Sequence, residues 1–280
     1  MDSSESKPMK NVLITGSTRG IGRGLATEFA RRHCKVFVTG RSKDAVDEVV
    51  AELGAEFGSD NIGGCALEIS SHDSVQQCWD TAAAQFGTID VWINNAGMSI
   101  DRKPLWEHEA ERLQAIANTN LTGMLFTNKV AISQMLKQGS GQVWNMEGFG
   151  SDGRAQPGMT SYGATKRAVN YLNKSLKKEV EGTSVQVCTL SPGIVVTELL
   201  TGDYDTSSEE WQKTKKVLNI LADTVETVTP YLAEGVLAAD KNGAKVAWLT
   251  NGKAFKRFMT AAFNKRDVFA DAGFKDNSSG

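Results

Sequence analysis

Asn11-Val12-Leu13-Ile14-Thr15-Gly16-Ser17-Thr18-Arg19-Gly20-Ile21-Gly22 decides the fold of this chain. Its first five residues form a short apolar run bounded by turn signals, the mark of a buried strand. Glycines follow with the spacing Gly-x-x-x-Gly-x-Gly, and then a helical pattern to Arg32 with Ile21, Leu25 and Phe29 on one face. Strand, glycine turn and helix in this order make a cradle for phosphate. The glycines let the backbone come close to a pyrophosphate, and the helix start supplies free N–H groups and a positive dipole end. Glycines also serve tight turns that bind nothing. The position directly after the first strand is what favours a nucleotide here.

Outward from this stretch the pattern repeats. Strands are expected at 35–39, 62–67, 89–93, 142–146, 185–190 and 244–249. Helices are expected at about 43–57, from a Ser71 cap to Phe86, over 106–137, and from Thr160 to about Val180. Alternation at these lengths means parallel βαβ units: one α/β domain, a doubly wound seven-stranded parallel sheet of Rossmann type with helices on both faces. The expected layout is a disordered lead at 1–9, the domain at 10–270 and a loose tail at 271–280. A helical lid over the substrate is expected at about 199–238, although ordinary helix packing accounts for most of its apolar residues.

In such sheets the ligand lies beyond the carboxyl ends of the strands. The chemically interesting residues all fall there. The glycine turn follows the first strand, Glu68 and Ile69 the third, Asn94 to Gly97 the fourth, Met146-Glu147-Gly148 the fifth, and Ser191-Pro192-Gly193 the sixth. The second strand ends in Gly40-Arg41, with no acid to hold the ribose 2′-hydroxyl of NAD. Arg41 and Arg19 suit a 2′-phosphate instead, because guanidinium pairs with phosphate bidentately; the sequence favours NADP(H). Tyr162 and Lys166 stand four apart on one helix face, where an ammonium lowers a phenol's pKa and readies it for proton transfer at a carbonyl oxygen.

Composition sets limits around this reading. The chain has 280 residues, 40% hydrophobic, with a formal net charge of −2, so no general affinity for nucleic acid follows. Cys34, Cys65, Cys78 and Cys188 form no Cys-x-x-Cys pair, and His33, His72 and His108 have no ligand spacing. No metal is expected, and the cysteines suit a reducing compartment. No apolar run is long enough to span a bilayer, and the polar start is no secretory signal, so a cytoplasmic location is expected. Lys253, Lys256, Arg257, Lys265 and Arg266 interleave with Phe255, Phe258, Met259 and Phe263. Such a basic amphipathic helix lies either on a membrane surface or, more often, on its own domain or a sister subunit.

Thr15-Gly16-x-x-x-Gly20-Ile21-Gly22, Asn94-Asn95-Ala96-Gly97, Asn120, Tyr162-x-x-x-Lys166 and Ser191-Pro192-Gly193 together resemble the short-chain dehydrogenase/reductase family, in the family's order from Asn11 to about Thr197. The resemblance implies a homodimeric or homotetrameric NAD(P)-dependent enzyme acting on a small carbonyl or alcohol. Tyr162 would be the acid/base, and Lys166 would bind the nicotinamide ribose and depress the tyrosine pKa. Asn120 would hold a relay water. Gly16, Ser17, Thr18, Arg19, Gly20, Ile21, Gly22, Arg41, Glu68, Ile69, Asn95, Ala96, Gly97, Pro192, Gly193 and Thr197 would surround the cofactor. One departure stands out: Gly148 occupies the position of the family's substrate-binding serine, with Glu147 before it and Ser151 three residues late. Ser151 is the expected replacement, carried in by glycines, and Glu147 the alternative. The Asn145-Met146-Glu147-Gly148 segment and the 191–200 and 219–228 stretches resemble the chlorophyll(ide) b reductases, which reduce a ring formyl group; a plastid location fits if a leader has been removed. The rival readings are a relative acting on a small soluble ketone, aldehyde or sugar-type alcohol, and a non-catalytic dinucleotide-binding scaffold.

Overall fold

Seven short runs of aliphatic and aromatic residues dictate the sheet. In the computed structural model, which describes residues 9–202, 204 and 206–274, they become β1 (Asn11–Ile14), β2 (Lys35–Gly40), β3 (Ile62–Ala66), β4 (Val91–Asn94), β5 (Gly141–Met146), β6 (Val185–Ser191) and β7 (Lys245–Ala247). All pair in parallel in the order β3-β2-β1-β4-β5-β6-β7. The chain starts in the middle, steps outward to β3, then returns to lay β4 against the free side of β1. That reversal opens a crevice at the carboxyl ends of β1 and β4.

Alternation along each strand sorts the core into two layers. Val12 and Ile14 join Val36, Val38, Val91 and Ile93 under α1 (Gly20–Arg31) and α2 (Lys43–Phe57). Leu13 joins Phe37, Trp92 and Val143 on the other face, under α3 (His72–Phe86). There Trp79 of α3 stacks on Trp92 at 5.8 Å. Ser42 and Ser71 cap α2 and α3 through the amides of Ala45 and Ser74.

The expected long helix over 106–137 is interrupted. It divides into a 3-10 turn at Leu105–Glu107, α4 (Ala110–Ala117), a π turn at Asn118–Thr122 and α5 (Gly123–Gln138). The inserted residue brings Asn120 against the β4 loop, where its side chain bonds both backbone groups of Met98. The acid/base pair of the sequence reading rides on α6 (Thr160–Glu179). β7 is shorter than expected because Trp248 and Leu249 turn away beyond Ala247.

The lid expectation is also cut back. Between β6 and β7 lie α7 (Glu198–Thr201), α8 (Glu209–Leu221) and α9 (Val225–Ala238). Val228, Leu232, Ala233 and Val236 of α9 sit in the core layer with α1, so α9 flanks the sheet and covers no cleft. Gly24 of α1 has no room for a side chain, since a Cβ there would lie 2.4 Å from Val225. Trp211 and Leu218 of α8 are buried in a separate cluster with Val268 and Phe269 of α11 (Val268–Asp271). Phe274 stacks into the same cluster, 6.0 Å from Trp211 and 5.6 Å from Phe269, so the expected loose tail starts later than 271; its remainder, like most of the expected lead, lies outside the described residues.

One carboxylate ties the C-terminal segment down. Asp223, between α8 and α9, is 2% exposed. It accepts hydrogen bonds from Arg257 of α10 (Asn251–Thr260) at 2.8 and 3.0 Å, from Arg266 at 2.5 Å and from the Trp248 indole at 2.5 Å. Burial pushes its pKa up, but the hydrogen bonds from Arg257 and Trp248 and the two guanidinium charges outweigh burial and hold it below the usual carboxylate range. Two of the five cations of the basic segment therefore face inward, while Phe255, Phe258, Met259 and Phe263 stay exposed. Asp223→Ala should strip both arginines of their partner and cost about 3–5 kcal/mol, the scale of breaking a buried ion pair, read as a lower urea midpoint. The loss should shrink as pH falls through the depressed Asp223 pKa, where the wild type also protonates.

Candidate active site

The glycine turn is backbone packed on backbone. Gly16 and Gly20 have φ of +64° and +55°, and a Cβ at Gly22 would fall 2.2 Å from the Gly16 carbonyl oxygen. Arg19 stands at the N-cap of α1 without a side-chain cap, which leaves the first-turn N–H groups uncapped by any side chain. Thr15 stitches this turn to the β4 loop. Its Oγ1 accepts the amides of Asn95 and Ala96, both at 3.0 Å, while Asn95 Nδ2 donates to the Thr15 and Gly16 carbonyls, both at 2.9 Å. Thr197 closes on the far side, its methyl 3.5 Å from where a Gly20 Cβ would be. Gly193, with φ of +75°, lets the loop after β6 pass against Leu249, where a Cβ would stand at 2.5 Å. Pro192 precedes that turn. The unoccluded turn and uncapped helix start fit a dinucleotide's pyrophosphate.

The remaining residues named from sequence take varied places. Ser17 is fully buried, its hydroxyl donating to the Ile14 carbonyl and accepting the Thr39 amide while its own amide donates to the Thr39 carbonyl at 2.8 Å, so it braces the turn from within. Thr18 lies over Gly40, and Ile21 packs on the core. Arg41 is exposed and makes no hydrogen bond or ion pair among the described residues. Arg19, also exposed, pairs with Glu198. Glu68 turns back to accept from Ser70, and Ile69 is wedged against Gly123.

A second group meets around Gly148. A Cβ there would lie 2.6 Å from Tyr162 Oη and 3.1 Å from Lys166 Cε, so the space of the family's serine side chain is taken by the phenol itself. Lys166 is buried, with Nζ 5.8 Å from the Tyr162 ring centre and donating to the Met146 carbonyl at 3.3 Å. Burial pulls its pKa down to about 8, against the opposing pull of the Glu147 carboxylate. Gly97 completes the corner: a Cβ there would stand 3.4 Å from Asn120 Oδ1 and 3.8 Å from Lys166 Nζ. Asn120 Nδ2 donates to the Met98 carbonyl at 2.8 Å and to Thr165 Oγ1 at 3.2 Å, and Thr165 donates to the Tyr162 carbonyl at 2.8 Å. The Asn120 side chain is thus occupied in fastening helix to loop.

Ser151 is 4% exposed and accepts the Gly148 amide at 3.1 Å, closing the turn that presses Gly148 onto Tyr162; its hydroxyl donates to no acceptor among the described residues. Glu147 takes the salt-bridged reading. Its carboxylate, 7% exposed, meets Lys245 of β7 at 2.6 Å and Asn170 of α6 at 3.2 Å. Sequence reasoning did not single out Lys245, Thr165 or the role of Thr15. Nothing local marks them, since each gains its partner from a distant part of the chain.

The comparisons agree with this architecture. The family model for short chain dehydrogenase matches residues 10–208. The chain is 38% identical over 269 residues to the chloroplastic chlorophyll(ide) b reductase NOL of Oryza sativa subsp. japonica, covering 92% of this chain and 77% of that protein. The 3-ketoacyl-(acyl-carrier-protein) reductase from Brucella melitensis, solved with NADH, superposes with a TM-score of 0.72 at 25% identity, over 85% of this chain and 96% of that one. ElxO with NADP bound superposes at 0.73 with 26% identity, over 88% and 98%.

A buried ammonium near its titration point is a stability liability. Below pH 8 the folded chain carries the charge without water. Between about 8 and the ordinary lysine pKa the unfolded chain binds the extra proton, so stability rises with pH across that window. Lys166→Met should therefore stabilise the protein at pH 7 by on the order of 1–3 kcal/mol, and the gain should fade above pH 8. Urea unfolding at both pH values measures it.

Proposed function

The chain belongs to the short-chain dehydrogenase family and is an oxidoreductase that works with a nicotinamide dinucleotide; we propose that it uses NADPH to reduce a formyl group on a tetrapyrrole ring to hydroxymethyl. The observation that carries the chemistry is the contact of Tyr162 Oη, Lys166 and Gly148 beside Gly97 and Asn120. The substrate reading rests on the 38% likeness to a chlorophyll(ide) b reductase over most of both chains. When bound, the dinucleotide supplies the hydride. Tyr162 gives its proton to the carbonyl oxygen as negative charge gathers there. Lys166, stripped of water and 5.8 Å from the ring, favours the phenolate that remains. Ser151 is the second donor on the loop. Glu147, ionised and paired with Lys245, would repel charge on that oxygen and stays out of the reaction.

Phosphate preference rests on Arg41, free of partners among the described residues, and on the missing acid after β2. Arg19 would have to leave Glu198, a pair exposed on both sides and so weakly held. Assembly as a homodimer or homotetramer is supported by Leu125, Leu136 and Tyr171, exposed on α5 and α6. Residues 10–270 are proposed as a single domain. Reduction of another carbonyl is the second reading, since the likeness also extends to a 3-ketoacyl-(acyl-carrier-protein) reductase.

Two measurements test the proposal. Wild type should bind NADPH more tightly than NADH, and Arg41→Ala should lose about 1.5–3 kcal/mol of NADPH affinity, a charge-assisted bond's worth; equal affinity of the wild type for both would remove the basis for the preference. With a formyl-bearing tetrapyrrole and NADPH, Tyr162→Phe should lower turnover by roughly 10²-fold or more, and Ser151→Ala by about tenfold, within the range lost with one donor. A silent Ser151→Ala would leave the oxygen to Tyr162 alone.

A further inference from the structure

α10 is turned the wrong way round for a helix that meets only water. Arg257 and, past the helix end, Arg266 point inward. Both bind Asp223, and both donate to carbonyls at the end of α8, Arg257 to Leu221 and Arg266 to Ile220 and Ala222. Lys253, one turn before Arg257, lies over the Trp248 ring. The charged side of the helix thus faces the body of the protein. The other side carries Phe255, Phe258 and Met259, with Phe263 following beyond the last turn, and these four are 50% to 91% exposed. At i, i+3, i+4 and i+8 they form one stripe. A single surface phenylalanine needs no explanation. Three in line with a methionine, held outward by a buried ion pair behind them, mark a docking face.

Charge decides what covers the stripe. Positions 250–266 contain no aspartate or glutamate. Lys256 and Lys265 stand exposed beside the stripe and form no ion pair among the described residues. A second copy brought there by a two-fold axis would set these lysines against their own kind. Residues 275–280 have no apolar side chain to lay over the rings. Phenylalanines to sink among acyl chains, bordered by lysines to meet negative headgroups, suit a helix lying in a membrane interface. We propose that α10 and the turn after it dock this protein on an anionic lipid surface. α10 begins just past β7, where Leu249 packs against Gly193 of the loop after β6, so it springs from the carboxyl-end rim of the sheet. This docking holds whichever carbonyl is reduced.

Flotation of the whole chain with vesicles tests it, using phosphatidylcholine alone and phosphatidylcholine mixed with phosphatidylglycerol. At low salt the protein should bind the anionic vesicles about tenfold or more tightly than the neutral ones, and the excess should shrink as salt screens the lysines. Phe255→Ser combined with Phe258→Ser and Phe263→Ser should weaken binding to the anionic vesicles by about tenfold or more. All three rings are exposed, so the urea midpoint of this variant should stay at the wild-type value. Lys256→Glu with Lys265→Glu leaves the stripe intact and should abolish the preference for anionic lipid. Wild type that stays off both kinds of vesicle, equal binding to the two, or binding that survives the triple phenylalanine variant overturns the proposal. A wild type that ignores vesicles and forms an oligomer that the triple variant breaks, read by light scattering, assigns the stripe to a sister subunit instead.

Discussion

A single hydroxyl pins the crevice on which the site depends. The sheet reverses direction between β1 and β4, and nothing in the strand ladders dictates how the two loops leaving those strands meet. Thr15 Oγ1, accepting two amides of the β4 loop, sets that meeting. Asn95 returns two bonds to the glycine turn. The β4 loop is thereby fixed at Ala96, and Gly97 falls beside Asn120 and Lys166. The glycine turn and the Tyr162–Lys166 pair are built on two sides of one stitched corner.

Behind that corner the core is polar in a controlled way. Asn94, Asn128, Asn145 and Asn173 are all buried, and the side chain of Asn145 bonds to those of the other three at 2.7 to 3.0 Å. Asn173 passes the chain on to Thr189 at 3.2 Å. Each amide is met, so the desolvation cost of burying them is offset and the network specifies β4, β5, α5 and α6 relative to one another. Lys166 stands on the same helix as Asn173 but is treated oppositely: it is buried with one carbonyl for company. The protein tolerates the charge because a matched, rigid frame surrounds it, a local concession of stability to chemistry.

The fold was legible because short continuous apolar runs between turn signals, alternating with helical patterns, state it locally. The helix expected from about Lys43 starts there, and Ser71, read as a cap, caps the helix that begins at His72. The limits of reading lie where partners are far apart in sequence. Glu147 could be weighed as an acid near the reaction, but its fate was decided by Lys245, ninety-eight positions away. The apolar pattern of α9 is the same for a lid as for a flank, and only its packing on α1 separates them. Gly148 was recognised as a missing serine, yet that the phenol fills the vacated volume follows from three-dimensional packing alone.

The Asp223 knot has a meaning in time as well as in space. The first half of the sheet, β1 to β4, is written first in the chain and pairs its own strands before β5 and α9 arrive to cover β4 and α1. During synthesis such a half is free to fold while later residues are still being made. The guanidiniums that complete the knot, Arg257 and Arg266, come near the end of the chain and reach back to a carboxylate that has been waiting since position 223. The wall beneath α8 is therefore fastened last. A newly made chain presents the glycine turn after β1 and the loop after β4 well before Arg257 and Arg266 emerge to hold Asp223.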